Sequence, residues 1–409
     1  MIDAAGARRF AWPLGISALF LAGALVPASP VRDAARLVAV PGAHLARPAL
    51  YVVLAPLSDL LDAMTLLAVP QLIAFALSLI IVYAAWRLAR RRLHGTSGWC
   101  EFCLGIRALL IFILLVLFAA VLPRPMAALV MDDPDALIFD IHSHTNYSHD
   151  ARATFTVEAN RAWHRAAGFH LAYITDHRCF DGAAEGERAN PARAGDGTVL
   201  LSGIELPADQ LHVIALEAPD VAVPPGLLEP WCVRATAGRT PPASPMLIQT
   251  IPENLLRMRM MVSAGDGGVN AIELSDGAPR GIAQSQRDHT RILMLTAINK
   301  LTYVAGSNDH GWGRTAVAWN VMRVPGWRAL RPDSVGALIQ VRFRAERNHA
   351  VQVIERRSPG GVPRIWLAVT LPAMAANVLR TMSFGERLSW IAWTWAAIGL
   401  VALARRRRA

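Results

Sequence analysis

The chain has 409 residues, of which 54% are hydrophobic, and its formal net charge is +10 at pH 7. This length would allow two or three soluble domains, but the apolar residues are concentrated in a few long runs. Arginines border these runs and form no basic stripe interleaved with aromatic residues, so we expect no nucleic-acid partner. The composition instead predicts a membrane region combined with one soluble domain.

Four apolar runs are candidates for membrane spans. They cover residues 10–26, 64–86, 109–122 and 388–404. A buried core helix can have the same composition, but the arginines beside these runs favour a membrane. The third run is slightly short unless residues 104–108 extend it, and the first could instead be the core of a signal peptide.

The positive-inside rule orients these runs consistently. Arginines precede the first run and follow the second and the fourth, which would place all three clusters in the cytoplasm. The region between the third and fourth runs would then lie outside, in the periplasm or on the surface of a bacterium. We predict a membrane region over residues 1–124, a soluble domain over 130–360, and a transmembrane helix with an arginine tail over 385–409.

A dense cluster of metal-capable side chains follows the apolar residues 136–139. It contains Asp140, His142, His144, His149 and Asp150. Side chains at alternate positions of a strand point to the same side, so His142 and His144 can reach one ion together. Either His149 or Asp150 can turn back from the loop toward a second ion. This density of ligand-type residues predicts a metal site.

Residues of the same chemistry recur at the ends or starts of later predicted strands. They are Asp176 and His177 after 171–175, Glu205 after 199–204, His212 near the start of 211–216, and Asn308, Asp309 and His310 after 301–305. In a barrel of parallel strands, the carboxyl ends converge on one face, where the loops carry the chemistry. We therefore expect these residues to lie beside the first cluster.

The remaining segments give less specific predictions. Helices are predicted over 154–167, 284–300 and 334–343, and a loop over 181–197. The Pro-rich segment 218–245 is typical of a lid, a binding loop or a disordered insert. Cys179 and Cys232 could form a disulfide, whereas the Cys100–Cys103 pair lacks the second pair that a zinc ribbon needs.

Together these segments resemble the PHP domain, the polymerase and histidinol phosphatase family of metal-dependent phosphoesterases. Its motif Asp-x-His-x-His-Thr-x-x-Ser is matched by residues 140–148 and its Thr-Asp-His by 175–177. Gly-x-Glu is matched by 203–205, a strand-opening histidine by His212, and Gly-Ser-Asp-x-His approximately by 306–310. The resemblance covers about residues 135–355. It implies an α/β fold, a distorted (β/α)7 barrel, which would here be flanked by transmembrane helices.

The chain departs from the family pattern at two points. Asn308 replaces an aspartate, and an amide oxygen can bind a metal but brings no charge. The family also has a His-Pro pair before its last motif, whereas in this chain the equivalent region reads Gln249-Thr-Ile-Pro252 and no histidine occurs between His212 and His289. One metal position would therefore be weakened or incomplete.

The resemblance implies two or three divalent ions, and a mixture of imidazole and carboxylate ligands favours Zn, Mn or Fe over Mg. Glu205 is the candidate bridge between ions, and Asp140 would orient a histidine from behind. The resemblance also implies roles for the other residues. His142 and His144 would bind one ion with Asn308 or Asp309, and His177 and His310 would bind another with either His149 or Asp150. His212 would lie beside Glu205, and Arg178 and Arg314 are the phosphate-gripping candidates.

We therefore predict a membrane-anchored phosphoesterase that hydrolyses a phosphate ester with a metal-activated water. Its expected partners are a phosphorylated substrate and the lipid bilayer, and the sequence does not indicate an oligomeric state. The alternative is a catalytically degenerate PHP-like module that binds a phosphorylated ligand or a partner, which Asn308 and the missing histidine favour. A third hypothesis, a function within the spans, is disfavoured because the middles of the last three spans carry no charge.

Overall fold

The structure is a computed structural model that describes residues 4–94, 98–208, 211–217, 245–251, 269–360 and 367–406. The chain divides into two compact units. The first contains Met1–Pro30, Arg47–Pro125 and Arg357–Ala409, and the second contains Val31–Ala46 and Met126–Arg356. Residues 31–46, which the sequence pattern places in the membrane region, thus belong to the second unit.

Helices and strands occupy most of the described residues. In chain order, the helices are α1 (Ala4–Ala22), α2 (Ala49–Val53), α3 (Ala55–Thr65), α4 (Val69–His94), α5 (Gly98–Val121), α6 (Val157–Ala167), α7 (Asp181–Arg188), α8 (Pro279–Asn299), α9 (Pro332–Glu346), α10 (Leu367–Thr381) and α11 (Phe384–Arg406). The strands are β1 (Val31–Asp33), β2 (Ala43–Ala46), β3 (Ala128–Met131), β4 (Ala136–Ser143), β5 (Leu171–Ile174), β6 (Val199–Ala208), β7 (Leu211–Leu216), β8 (Met246–Gln249), β9 (Ala271–Asp276), β10 (Thr302–Gly306), β11 (Ala318–Arg323) and β12 (Gln352–Arg356).

The first unit is helical. Within the described residues, Val69–Ala89 of α4 and Phe384–Ala404 of α11 are long and apolar enough to cross a membrane. The first of these does not begin at Met64, because α3 ends at Thr65 and the chain turns before α4. The other two predicted spans are shorter apolar helices, Phe10–Ala22 and Cys103–Ala119. Length and composition therefore support two of the four predicted spans.

The second unit is built on one curled sheet of ten strands, which forms a half-barrel. The strand order is β1-β12-β11-β4-β5-β6-β7-β8-β9-β10, and β2 and β3 form a separate two-stranded sheet. β4, β5 and β6 run parallel, as do β8, β9 and β10. β7 is antiparallel to both of its neighbours. The α/β class is therefore confirmed, while the expectation that all strands of the barrel are parallel is wrong at β7.

The curl of the sheet brings the end of β10 beside the end of β4. Ser143 forms an isolated parallel bridge with Asp309. The backbone N–H of Asn308 donates to the carbonyl oxygen of His142 over 2.8 Å, and that of His144 donates to the carbonyl of Asp309 over 3.1 Å. These bonds hold the loop after β10 against the loop after β4. Two predicted ligand segments, distant in sequence, thus become neighbours.

Two helices beside the sheet differ in how well the local sequence pattern predicts them. α6 begins at an N-cap, where the Thr156 hydroxyl accepts from the N–H of Ala159, and it ends at Gly168 with a left-handed φ of 90°. A helix, α7, occupies part of the predicted loop 181–197 because its small residues pack closely, with Gly186 against Leu200. Residues 218–244, including Cys232 and most of the Pro-rich segment, lie outside the described part of the chain.

Candidate metal centre

His142 and His144, at the end of β4, converge on the carboxylate of Glu205 in β6. Their Nε2 atoms are 3.0 Å apart and lie 3.2 and 3.3 Å from Glu205 Oε2. The three side chains, which we call the inner group, are at most 3% exposed. A tetrahedral ion with ligands at about 2.0–2.1 Å has ligand–ligand distances of roughly 3.3 Å. The three observed separations therefore fit the edges of one metal coordination shell.

The ring of His142 is held from behind by a carboxylate. Its Nδ1 lies 2.7 Å from Oε1 of Glu273, a fully buried residue of β9. With a hydrogen on Nδ1, the carboxylate of Glu273 accepts it. Nε2 then faces Glu205, and it would bind a metal once its own proton has left.

The ring of His144 is held by a hydroxyl instead. Its Nδ1 lies 3.0 Å from Ser148 Oγ, and this hydroxyl donates to Asp176 Oδ1 over 2.9 Å. Asp176 also accepts from the backbone N–H and the hydroxyl of Thr145, over 2.6 and 2.7 Å. Burial raises the pKa of Asp176 even though these hydrogen bonds oppose it. The family motifs at 145–148 and 175–177 thus meet in one network behind His144.

Charge in the inner group favours metal ligation. Burial would raise the pKa of Glu205, but His142, His144 and His212 together outweigh it and hold that pKa well below its ordinary value. Burial and the nearby His310 lower the pKa of His144 well below 6.5. Burial would also lower the pKa of His142, but the carboxylates of Glu273 and Glu205 raise it. At neutral pH Glu205 is therefore an anion and His144 is neutral, while His142 holds a proton that a metal would replace.

A second set of candidate ligands lies toward solvent, and we call it the outer group: Asp150, His177 and His310. Asp150 Oδ2 is 3.4 Å from His177 Nε2 and 3.2 Å from His310 Nε2. Ligand atoms of His144, His177 and His310 all lie within 4.8 Å of one another. Despite the nearby Asp150, His310 Nε2 has no well-aligned hydrogen-bond partner among the described residues. A metal ion would satisfy this buried nitrogen.

Glu205 joins the two groups. Its Oε2 lies 3.2 Å from His177 Nδ1, and its Oε1 lies 2.7 Å from His212 Nδ1. His212 can reach this carboxylate because β7 runs antiparallel to β6 and places His212 opposite Pro207, two residues beyond Glu205. A carboxylate with ligand nitrogens around both oxygens has the arrangement of a bridge between ions.

An open cleft of about 350 Å³ lies over the outer group. Its lining residues are His149, Asp150, His177, Arg178, Pro207 and His212. Arg178 is exposed, and its left-handed φ of 53° turns the chain at the mouth of the cleft. Arg314, the other phosphate-gripping candidate, is not among the lining residues. The ring centroid of His149 lies 5.2 Å from that of His177, whereas Asp150 Oδ2 lies within 3.4 Å of Nε2 of both His177 and His310.

The two candidate ligands after β10 have different surroundings. Asn308 Nδ2 donates to Asp276 Oδ2 over 3.2 Å, which leaves the buried Oδ1 without a hydrogen-bond partner among the described residues. Asp309 Oδ1 instead accepts from the backbone N–H groups of Gly311 and Gly313, over 2.9 and 2.7 Å. The side chain of Asp309 therefore holds a glycine-containing turn, and it belongs to neither ligand group.

Asp140 contacts a histidine that the sequence pattern does not single out. Its Oδ2 lies 3.0 Å from Nε2 of His164 in α6, and its Oδ1 accepts from the backbone N–H groups of His142 and Ser307. Asp140 therefore fixes the backbone at the inner group and pairs with His164, and it contacts no ring of either ligand group.

Sequence reasoning also missed Glu273 and Asp276, which contact His142 and Asn308. Both lie in β9, a strand that was not predicted, and both are buried. The signal was present in the run Ala271-Ile-Glu-Leu-Ser-Asp276, because acidic residues are rarely buried in an apolar strand unless a partner holds them.

Comparisons with known proteins identify no family. No family model matches the chain, and no curated protein matches it. Among solved structures, the chain matches PsfC from Pseudomonas syringae with a TM-score of 0.33 and 13% identity over 60% of this chain and 98% of that one. It also matches a proposed metal-dependent phosphoesterase from Bifidobacterium adolescentis (TM-score 0.31, 16% identity, 49% of this chain, 95% of that chain). A third match is an amidohydrolase from Chromobacterium violaceum with bound sulfate and no metal (TM-score 0.31, 18% identity, 47% of this chain, 98% of that chain). Similarity at this level does not bear on the reaction of this chain.

Proposed function

We propose that the second unit is a metal-dependent hydrolase of phosphate esters, as its resemblance to the PHP family suggests. The observation that carries the proposal is the surroundings of Glu205. Ring nitrogens of four histidines lie 2.7–3.3 Å from this one buried carboxylate: His142, His144, His177 and His212. A lone pair of nitrogen facing a carboxylate oxygen is repulsive unless a proton or a metal ion lies between them. Bound cations would remove this repulsion at several contacts together.

The inner group would hold one ion and the outer group another, with Glu205 between them. The mixture of imidazoles and carboxylates fits Zn, Mn or Fe. Such ions supply a hydroxide at neutral pH and neutralise charge on the phosphate.

The chain's own residues would bind the substrate and move a proton. Arg178, at the mouth of the cleft, would contact the phosphate oxygens. His212 lines the same cleft, and its Nδ1 lies 2.7 Å from Glu205 Oε1. It is therefore placed to donate a proton to the leaving group.

We also propose a family-type fold and a membrane location. β4 to β10 are seven strands in sequence order, and the bridge between Ser143 and Asp309 would close them into a PHP-type (β/α)7 barrel. The two long apolar helices and the arginine clusters support anchoring in a bacterial inner membrane, with the second unit on the periplasmic side. A reporter fused after Arg408 should behave as cytoplasmic, and periplasmic reporter activity there would refute this topology.

The metal content of the full-length chain, purified in detergent after supply of Zn, Mn and Fe, tests the reaction. We expect two or more ions per chain and metal-dependent hydrolysis of p-nitrophenyl phosphate or its bis ester. The His142→Ala variant should lose both properties. His44→Ala, which removes an exposed histidine of β2, is the matched control.

A degenerate binding module is the second candidate, and the region of the missing His-Pro pair favours it. The side-chain amide of Gln249 donates to the backbone oxygens of His212 and Thr250, so this residue supplies no imidazole. A wild-type chain that holds at most one ion and hydrolyses neither ester would support this candidate over the enzyme.

A further inference from the structure

Glu273 is a buried carboxylate that no motif of the family resemblance supplies. It is 0% exposed, and its Oε1 contacts His142 Nδ1, whereas its Oε2 has no hydrogen-bond partner among the described residues. Burying a carboxylate is costly unless its partners stabilise it. A side chain kept in so unfavourable a position needs an explanation in terms of what it contacts.

The adjacent strand, β10, packs closely against the contact between Glu273 and His142. β10 pairs with β9 in parallel, with Val304 opposite Glu273. A Cβ atom at Gly306 would lie 2.6 Å from His142 Cβ and closer still to Glu273 Oε1. Any side chain at position 306 would therefore push Glu273 or His142 away. Gly306 lets the backbone of β10 close over the pair.

We propose that Glu273 is a positioning residue for His142. It accepts the hydrogen on Nδ1, and this fixes both the tautomer and the rotation of the ring that directs Nε2 to Glu205. The inference rests on the proposed function, because it takes His142 Nε2 as a metal ligand. Losing the partner behind a metal-binding histidine typically weakens metal affinity roughly 10–100-fold.

The two rings of the inner group differ in how they are held. His144 has a neutral hydroxyl behind it, at Ser148, whereas His142 has a carboxylate. A negative charge at Nδ1 makes Nε2 a stronger donor to a cation, which a hydroxyl does less effectively. Glu273 would therefore contribute both direction and ligand strength, and its removal should weaken the inner site more than Ser148→Ala does.

Competitive titration of the full-length chain in detergent with Zn²⁺ and a chromophoric chelator tests the proposal. Glu273→Ala should weaken the tightest site roughly 10–100-fold. Glu273→Gln keeps an acceptor in place without the charge, and it should fall between Glu273→Ala and wild type.

Two matched pairs separate positioning from general damage to the fold. Asp288→Asn alters a buried carboxylate of α8 that pairs with Arg287, away from the ligand groups, and it should leave affinity unchanged. Gly306→Ala should weaken binding although Glu273 is intact. Gly336→Ala would create a similar clash in α9, against Glu217, and should leave metal affinity unchanged. Thermal unfolding of each metal-free variant shows whether stability follows the same order as affinity.

The outcomes are distinguishable. A wild-type chain that binds no metal overturns the proposed function and this inference with it. If the wild type binds metal, unchanged affinity in Glu273→Ala overturns the inference alone. The same holds if Gly336→Ala weakens binding as much as Gly306→Ala.

Discussion

The inner and outer ligand groups share Glu205 as a neighbour but differ in how firmly they are built. The inner side chains are at most 3% exposed, and both histidine rings have a second partner behind them. In the outer group, His177, His310 and Asp150 are 13%, 18% and 45% exposed. The inner group therefore has its geometry set before a metal binds, whereas the outer group can adjust at the cleft.

The backbone explains this difference. His142 and Glu205 belong to β4 and β6, and His144 directly follows the last residue of β4. Asp150, His177 and His310 come from loops that follow β4, β5 and β10. Sites on strands are held more rigidly than sites on loops. We therefore expect tight binding at the inner group and weaker, exchangeable binding at the outer group, where substrate would enter.

The largest effect is expected from Glu205→Gln, because this change affects both groups. Removing the shared charge should release both ions and reduce hydrolysis by at least about 100-fold, more than loss of a partner behind a ligand. Elemental analysis and turnover of p-nitrophenyl phosphate measure this, with the half-exposed Glu346→Gln in α9 as control. Retention of one tightly bound ion would show that the groups do not share this carboxylate.

A difference between His142→Ala and His177→Ala would sharpen the comparison. The first should abolish tight binding and hydrolysis, because the inner geometry cannot rearrange around the gap. The second should keep the inner ion and weaken the outer one, roughly 10–100-fold, with loss of turnover. Titration with Zn²⁺ and the ester assay measure both effects. Hydrolysis retained in both variants would contradict the whole metal assignment.

Asn308→Asp is expected to give a smaller effect, and its sign depends on Asp276. The aspartate would place two carboxylates about as close as the present 3.2 Å contact, which disfavours ionisation of both. Alone it should therefore not strengthen metal binding. The double variant Asn308→Asp/Asp276→Asn restores the hydrogen bond and moves the negative charge to position 308, so it should bind roughly tenfold more tightly than wild type. Tighter binding by the single variant would refute a role of Asp276 in this pair.

The smallest effect concerns Asp309, which lies outside both groups. Burial raises its pKa from 3.8 to about 6. Between about pH 4 and 6 the folded state therefore holds a proton that the unfolded state has released, so this carboxyl reduces stability as pH rises. In metal-free protein, Asp309→Asn should remove up to about 3 kcal/mol of this pH-dependent loss, measured by denaturant unfolding. If the pH dependence of the free energy of unfolding disappears when Zn²⁺ is added to wild type, Asp309 would instead bind metal.

The sequence identified most of the segments that the structure brings together, because each follows or opens a strand whose apolar residues are recognisable locally. It could not choose between His149 and Asp150, because that choice depends on how the loop folds against His177 and His310. The direction of β7 was also inaccessible, although it alone explains why His212, at the start of a strand, reaches Glu205.

Other features depend on packing between distant segments. The contacts of Glu273 and Gly306 with His142 form only because β9, β10 and β4 lie close together, so the sequence does not reveal them. The predicted loop at 181–197 contains α7 because Ala183 and Gly186 fit against the sheet, a contact that helix propensity does not predict. The start of the second apolar helix at Val69 is likewise set by the end of α3 and not by hydropathy.

The pairing of β1 with β12 has a consequence for how the protein is made. Val31 pairs with Arg356, and Arg32 lies 2.6 Å from Glu355, so the edge of the sheet joins segments separated by 323 residues. During synthesis β1 leaves the ribosome early and waits for almost the whole second unit before its partner appears. A fragment over residues 130–360 would lack β1 and leave the backbone of β12 exposed, an edge on which other chains can aggregate.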